Sequence, residues 1–200
     1  MRKLIVSNLV TVDGFFEGPN QELDWFMLND EFFEYVKTML NSVSTILFGR
    51  ITYQQMAGYW PTSAADGNDP TITHKMNSLS KIVFSTTLSS VEWNNSILIK
   101  ENITDEIKKL KKSVRPWEKD MVIFGSGAIV SAFAEAGLID EYRIILNPVL
   151  IGSGNHLFKN LSVKKQNLEL IKTKTLSNGV IILYYQPKKY TWKQSLIKSL

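Results

Sequence analysis

Residues 121–137 read Met121-Val122-Ile123-Phe124-Gly125-Ser126-Gly127-Ala128-Ile129-Val130-Ser131-Ala132-Phe133-Ala134-Glu135-Ala136-Gly137. Four apolar residues followed by a Gly-Ser-Gly turn describe a short buried strand. The small and apolar residues 128–136 describe a helix, and Gly137 just past its end supplies a stop. Glycines at such a turn let a ligand approach the backbone, and the first helical N–H groups have no partner within the helix. Those donors and the helix dipole favour a phosphate. The segment therefore reads either as an anion cradle or as an ordinary tight turn. It is not a full G-x-G-x-x-G fingerprint, because Val130 occupies the third glycine position.

The same arrangement recurs twice. The apolar run 45–48 ends in Gly49-Arg50-Ile51-Thr52-Tyr53, which opens a helix expected over 52–57. Arg50 can fork onto a phosphate, and Thr52 can cap the helix or donate to the same group. A surface arginine and a plain cap are the alternative. Ser85-Thr86-Thr87 ends the strand expected at 81–85 with hydroxyls. One dinucleotide across a sheet edge explains three strand ends equipped for anions better than three separate accidents do.

Around these segments, strands and helices alternate. Further strands are expected at 3–9, 96–100 and 141–147, and further helices from Asn29 or Asp30 to Leu40, at 72–79, and at 103–112 with Thr104 as cap. Residues 11–27 and 58–70 read as loops. Residues 168–175 and 180–186 flank Ser177-Asn178-Gly179, a hairpin signal. The expected fold is α/β: one domain over 1–186, with a mostly parallel central sheet, helices on both faces and a C-terminal antiparallel hairpin. A basic tail, 187–200, follows. Ligands of such sheets bind beyond the carboxyl ends of the strands.

Composition narrows the class. The 200 residues are 44% hydrophobic and 21% charged, which suits one domain with a sizeable core. The absence of cysteine excludes disulfides, thiolate metal sites and cysteine nucleophiles. His74 and His156 stand alone without metal-ligand spacing, so no metal is expected, and both read as structural or exposed. No apolar run reaches the roughly 20 residues of a membrane span, and the N-terminus reads as a strand, so a cytoplasmic location without membrane contact is expected. The tail holds Lys188, Lys189, Lys193 and Lys198; removing these four from 23 basic residues leaves 19, equal to the 19 acidic ones. A neutral body argues against a nucleic-acid partner. The stretch between Lys3 and Lys37 carries seven acids and no base: Asp13, Glu17, Glu22, Asp24, Asp30, Glu31 and Glu34. One or two of these can line a site.

Six segments occur in a telling order: Thr11-Val12-Asp13-Gly14-Phe15-Phe16, Gly49-Arg50-Ile51-Thr52-Tyr53, Lys81-Ile82-Val83-Phe84-Ser85, Ile123-Phe124-Gly125-Ser126-Gly127, Leu138-Ile139-Asp140-Glu141-Tyr142, and the run from Pro148 through Gly152 and Gly154 to Leu157-Phe158. Together they resemble the dihydrofolate-reductase superfamily. They are most similar to its stand-alone bacterial branch, related to the C-terminal reductase domain of the bifunctional riboflavin-biosynthesis deaminase-reductase.

The resemblance implies an NADPH-dependent reductase of a small heterocyclic substrate, of the 5-amino-6-(5-phosphoribosylamino)uracil reductase type, acting as a homodimer. It places the cofactor against Phe16, Gly49, Arg50, Thr52, Ser85, Thr86, Phe124, Gly125, Ser126, Gly127, Ala128 and Ile129. Asp13 and Asp30 are the implied catalytic acids. From the residues alone Asp13 reads more readily as a turn residue, and Asp30 as a helix cap. The substrate side departs from dihydrofolate reductase proper. Leu23-Asp24-Trp25-Phe26-Met27-Leu28-Asn29-Asp30 lacks the proline of W-x-x-P, and Ser78-Leu79-Ser80-Lys81 lacks the folate-tail arginine. The early helix offers only Lys37 where the riboflavin-pathway enzyme has an arginine. A dihydrofolate reductase or a non-catalytic NADPH-binding protein of the same fold are the alternatives.

Overall fold

β1 (Leu4–Thr11) is central, and its alternation sets the layers. Leu4, Val6 and Val10 point into one apolar cluster, with Ile107, Val130 and Phe133; Ile5 points into another, with Met39, Leu40 and Met76. A strand covered on both faces must be apolar on both, which is what parallel sheets require. The computed structural model describes residues 1–113, 115–159, 161–162 and 165–188.

The other strands of the main sheet are β3 (Val43–Gly49), β4 (Ser80–Phe84), β5 (Ser96–Ile99), β6 (Asp120–Ile123), β7 (Glu141–Asn147), β9 (Leu168–Thr175) and β10 (Ile181–Pro187). Their order is β5-β4-β3-β6-β1-β7-β10-β9. The first six run parallel, and β10 and β9 are antiparallel additions. Helices α1 (Asp30–Ser42), α2 (Arg50–Ala57) and α3 (Pro70–Ser78) contribute Met39, Tyr53 and Ile72 to the layer on one face. Helices α4 (Ile103–Lys112) and α5 (Gly127–Glu135) contribute Ile107 and Phe133 to the other. The expected α/β architecture, with helices on both faces and a terminal hairpin, is the one observed.

Several details differ from the sequence reading. The expected loop 11–27 contains β2 (Phe15–Glu17), which pairs antiparallel with β8 (Asn155–His156) as a separate two-stranded sheet. Strands of three and two residues show no period in sequence. Asn29, not Asp30, caps α1: its side chain accepts from Phe32 N–H at 2.9 Å. Thr104 lies inside α4, and the residue before that helix is Asn102, in the left-handed region at φ 53°. The short run 63–65 within the loop 58–70 forms a 3-10 turn. The hairpin turns at Gly179, whose φ of +86° explains the glycine. Most of the basic tail, 189–200, lies outside the described residues.

Candidate functional site

The carboxyl ends of β3, β4 and β6 meet the amino ends of α2 and α5, and a cleft of about 810 Å³ opens there. Two uncapped helix starts line it. Gly49 precedes α2 and Ser126 precedes α5, and neither makes a side-chain capping bond. The first N–H groups of both helices therefore remain available to a ligand.

Close backbone approach explains the glycines. A Cβ on Gly49 would overlap the Ser126 hydroxyl. A Cβ on Gly125, at φ +61°, would lie 2.7 Å from Thr52 Oγ1 and 2.8 Å from its Cγ2. A Cβ on Gly127 would meet Leu157 O at 3.1 Å and Phe16 Cε1 at 3.3 Å. The two turns thus pack against each other, with the small side chains of Ser126 and Thr52 set against the glycines of the opposite turn. Asn8, buried on β1, faces the second turn: with its amide turned so that both groups are satisfied, its oxygen accepts from Gly125 N–H at 3.2 Å and its nitrogen donates to Ser7 O at 3.1 Å.

Of the residues expected at a cofactor, Phe16, Gly49, Arg50, Thr52, Ser85, Thr86, Ser126, Gly127, Ala128 and Ile129 line this cleft. Phe124 and Gly125 do not: Phe124 packs into the core beneath, and Gly125 shapes the turn behind the lining. Among the described residues Arg50 has one side-chain partner, Gln54 Oε1 at 3.2 Å, on an exposed surface. Ser85 Oγ accepts from Thr87 and Leu88 N–H at 3.2 and 3.0 Å, which folds residues 85–88 into a turn at the rim.

The expected acids lie elsewhere. Asp13 Oδ2 accepts from Ile151 and Gly152 N–H at 3.1 and 2.8 Å. The Thr11 hydroxyl beside it and those amides hold its carboxyl below the usual range. Asp30 is exposed on the first turn of α1, and neither acid lines the cleft. Trp25 is buried with its ring edge-on to Phe26 at 4.6 Å, also outside the lining. Lys37 is committed to Glu34 and, at 3.0 Å, to Asp69.

Sequence reasoning left Glu17 as one acid among seven and missed Lys100, Glu135, Asn155, His156 and Lys159; all six line the cleft. Lys100 ends the strand expected at 96–100, so the rule of strand ends pointed to it. Asn155 and His156 arrive only through the β2–β8 pairing, which had no sequence signal. His156 stacks on Phe15 at 4.4 Å, and its Nδ1 donates to Gly14 O at 3.0 Å. That bond fixes the tautomer with the hydrogen on Nδ1 and leaves Nε2 as the second ring nitrogen. A second hollow, about 940 Å³, lies against α2, α3 and the β4–β5 connection. It has neither a bare helix start nor a basic side chain, so it lacks the anion-binding features of the cleft.

An open parallel sheet with two helix starts over its strand ends defines an α/β protein of the dihydrofolate-reductase-like fold. The chain belongs to the RibD C-terminal domain family, whose match covers residues 2–182. It is 34% identical over 185 residues to the uncharacterized protein YyaP of Bacillus subtilis (strain 168), covering 92% of this chain and 94% of that one. Among solved structures, a putative riboflavin biosynthesis protein from Shewanella sp. PV-4 superposes with a TM-score of 0.70 at 21% identity, covering 94% of this chain and 99% of the other. Dihydrofolate reductase from Enterococcus faecalis, complexed with NADP(H) and RAB-propyl, gives 0.61 at 13% identity, covering 94% and 97%.

Proposed function

We propose that the protein is an NADPH-dependent reductase of a small heterocyclic substrate, of the 5-amino-6-(5-phosphoribosylamino)uracil reductase type. The observation that carries this reading is the pair of uncapped helix starts lining one cleft across tightly packed glycine turns. Such a site suits a diphosphate. Arg50 and Lys100, with the hydroxyls of Ser85, Thr86 and Thr87, supply charge and donors for a further phosphate at the rim. Family membership and the NADP(H) complex of a protein with the same fold support the same reading.

A bound nicotinamide cofactor would supply the hydride. This chain's residues hold and orient: the amides of α2 and α5 take the diphosphate, Arg50 takes the 2′-phosphate, and Phe16 covers the cleft near the reacting end. We propose in addition that the protein is a homodimer paired along β9, an edge strand whose eight residues are all exposed, Leu170 and Ile171 at 50% and 48%.

Titration of the protein with NADPH and NADH, followed by tryptophan quenching, tests the cofactor. NADPH-selective quenching supports it, and no quenching by either overturns it. Oxidation of NADPH by a panel of pyrimidine and pteridine substrates then tests catalysis. NADPH binding without turnover across the panel would leave a non-catalytic binding protein of this fold.

A further inference from the structure

Reduction of a C=N or C=O group needs a proton as well as a hydride, and the two carboxylates expected to supply it do not line the cleft. Asp13 faces away from the cleft, its Oδ2 held by two backbone amides and its buried Oδ1 without a partner among the described residues; Asp30 stands in solvent. Two carboxyls do line the cleft, Glu17 and Glu135. Glu135 is engaged by Ser162, whose N–H and hydroxyl both donate to its Oε1, at 2.7 and 2.8 Å. Those bonds hold it below the usual range.

Glu17 is placed differently. It follows Phe16 on β2 and is half-buried. Its Oε1 accepts from Asn155 Nδ2 at 2.9 Å, and its Oε2 has no hydrogen-bond partner among the described residues. The β2–β8 pairing pins its backbone: Glu17 stands opposite Asn155, and Gly154 lies so close that a Cβ there would overlap Glu17 O. Burial pushes the Glu17 carboxyl up, opposed by the Asn155 amide, and among the described residues no ion pair holds it down. The other ionisable groups of the cleft are Arg50 on α2, Lys100 after β5, Glu135 on α5, His156 on β8 and Lys159 beyond it.

We propose that Glu17 is the proton-carrying group of the cleft: with the cofactor in place it holds a proton on Oε2 and gives it to the substrate atom that gains an electron pair. Hydride adds to the carbon of the C=N or C=O group, the π pair moves to nitrogen or oxygen, and that atom takes the proton as the Oε2–H bond breaks. The carboxylate is reprotonated from solvent. A phosphate-bearing cofactor brings negative charge into the cleft that Glu17 shares, which favours the neutral acid further. This inference rests on the cofactor reading above.

The test needs no substrate. NADPH binding is measured by calorimetry from pH 5 to 8, in buffers of different ionisation enthalpy, for the wild type, Glu17→Gln, Glu17→Asp and His156→Gln. Glutamine keeps the oxygen that accepts from Asn155, so a merely structural role survives it. Titration of the ligand's own phosphate is common to all four proteins and cancels between them. The wild type and His156→Gln should take up protons on binding and lose affinity as pH rises, by at most about tenfold per pH unit for one proton. Glu17→Asp should keep part of the uptake, and Glu17→Gln should lose it and bind NADPH more tightly at pH 8. Equal uptake by Glu17→Gln and the wild type overturns the proposal. So does weaker NADPH binding by Glu17→Gln with no uptake in the wild type, which makes Glu17 an ionised acceptor for a ribose hydroxyl. Absence of NADPH binding by all four overturns the cofactor reading itself, an outcome distinct from both.

Discussion

Arg50 stands at the start of α2 with only an exposed amide, Gln54, as side-chain partner among the described residues. A guanidinium so lightly engaged is free to meet a phosphate and contributes little to stability. Arg50→Ala should therefore leave the melting temperature within about 1 °C, weaken NADPH by roughly 10- to 100-fold and leave NADH nearly unchanged. Equal losses for the two cofactors, measured by quenching, would remove the 2′-phosphate role. Glu17 gives a second expectation at this scale. Its carboxyl is raised in the folded protein by burial, so the fold gains from the protonated form. That contribution is complete below the unfolded-state titration and is lost as pH rises through the folded one. Glu17→Gln should accordingly melt higher than the wild type at pH 8 and show no such advantage at pH 4. Arg50 was legible because it adjoins a glycine at a strand end. Glu17 was visible only as one acid among seven, because what distinguishes it is burial beside Asn155, 138 positions away.

The β6–Gly125–α5 unit was legible almost to the residue, since an apolar run, two glycines and an apolar helix leave few alternatives. β2 and β8 were not, because pairing two such short strands is decided by tertiary contact. Gly125→Val places a branched side chain at φ +61° and against Thr52, so a loss of about 2–4 kcal/mol is expected in chemical denaturation, together with loss of NADPH binding. Lys81 shows another limit of pattern reading. It reads as the polar start of a strand, yet it is fully buried, and burial pushes its ammonium down to about 8. Its Nζ donates to the carbonyls of Asn77, Leu79 and Asn94 at 3.0, 2.8 and 3.1 Å and lies 4.3 Å from the centre of the Trp93 ring. The side chain thus ties α3 to the β4–β5 connection. Lys81→Met leaves three carbonyls without their donor, and about 3 kcal/mol of stability should be lost by urea unfolding.

For the whole molecule, alternation of strands and helices gave the layers and the parallel sheet before any contact was known. The order of strands was not available, because nothing local records that β6 inserts between β3 and β1. The exposed β9 edge leads to an expectation at this scale. Light scattering after size exclusion should give twice the chain mass of 22.8 kDa. Replacing both Leu170 and Ile171 by lysine should return the mass of one chain, because like charges would face each other along the edge. A single-chain mass for the wild type would discard the dimer. Among the described residues, no helix is long and apolar enough to cross a membrane.

The central position of β1 also has a consequence in time. The strand leaves the ribosome before either of its neighbours, so Leu4 must wait for Met121, and Ile5 for Glu141, before either side is paired. At ordinary translation rates that interval is on the order of 10 s. Throughout it an apolar segment with two open edges is held in a growing chain. A strand buried in the finished protein is thus a hazard during birth, and closure of the sheet around it is a late, long-range event.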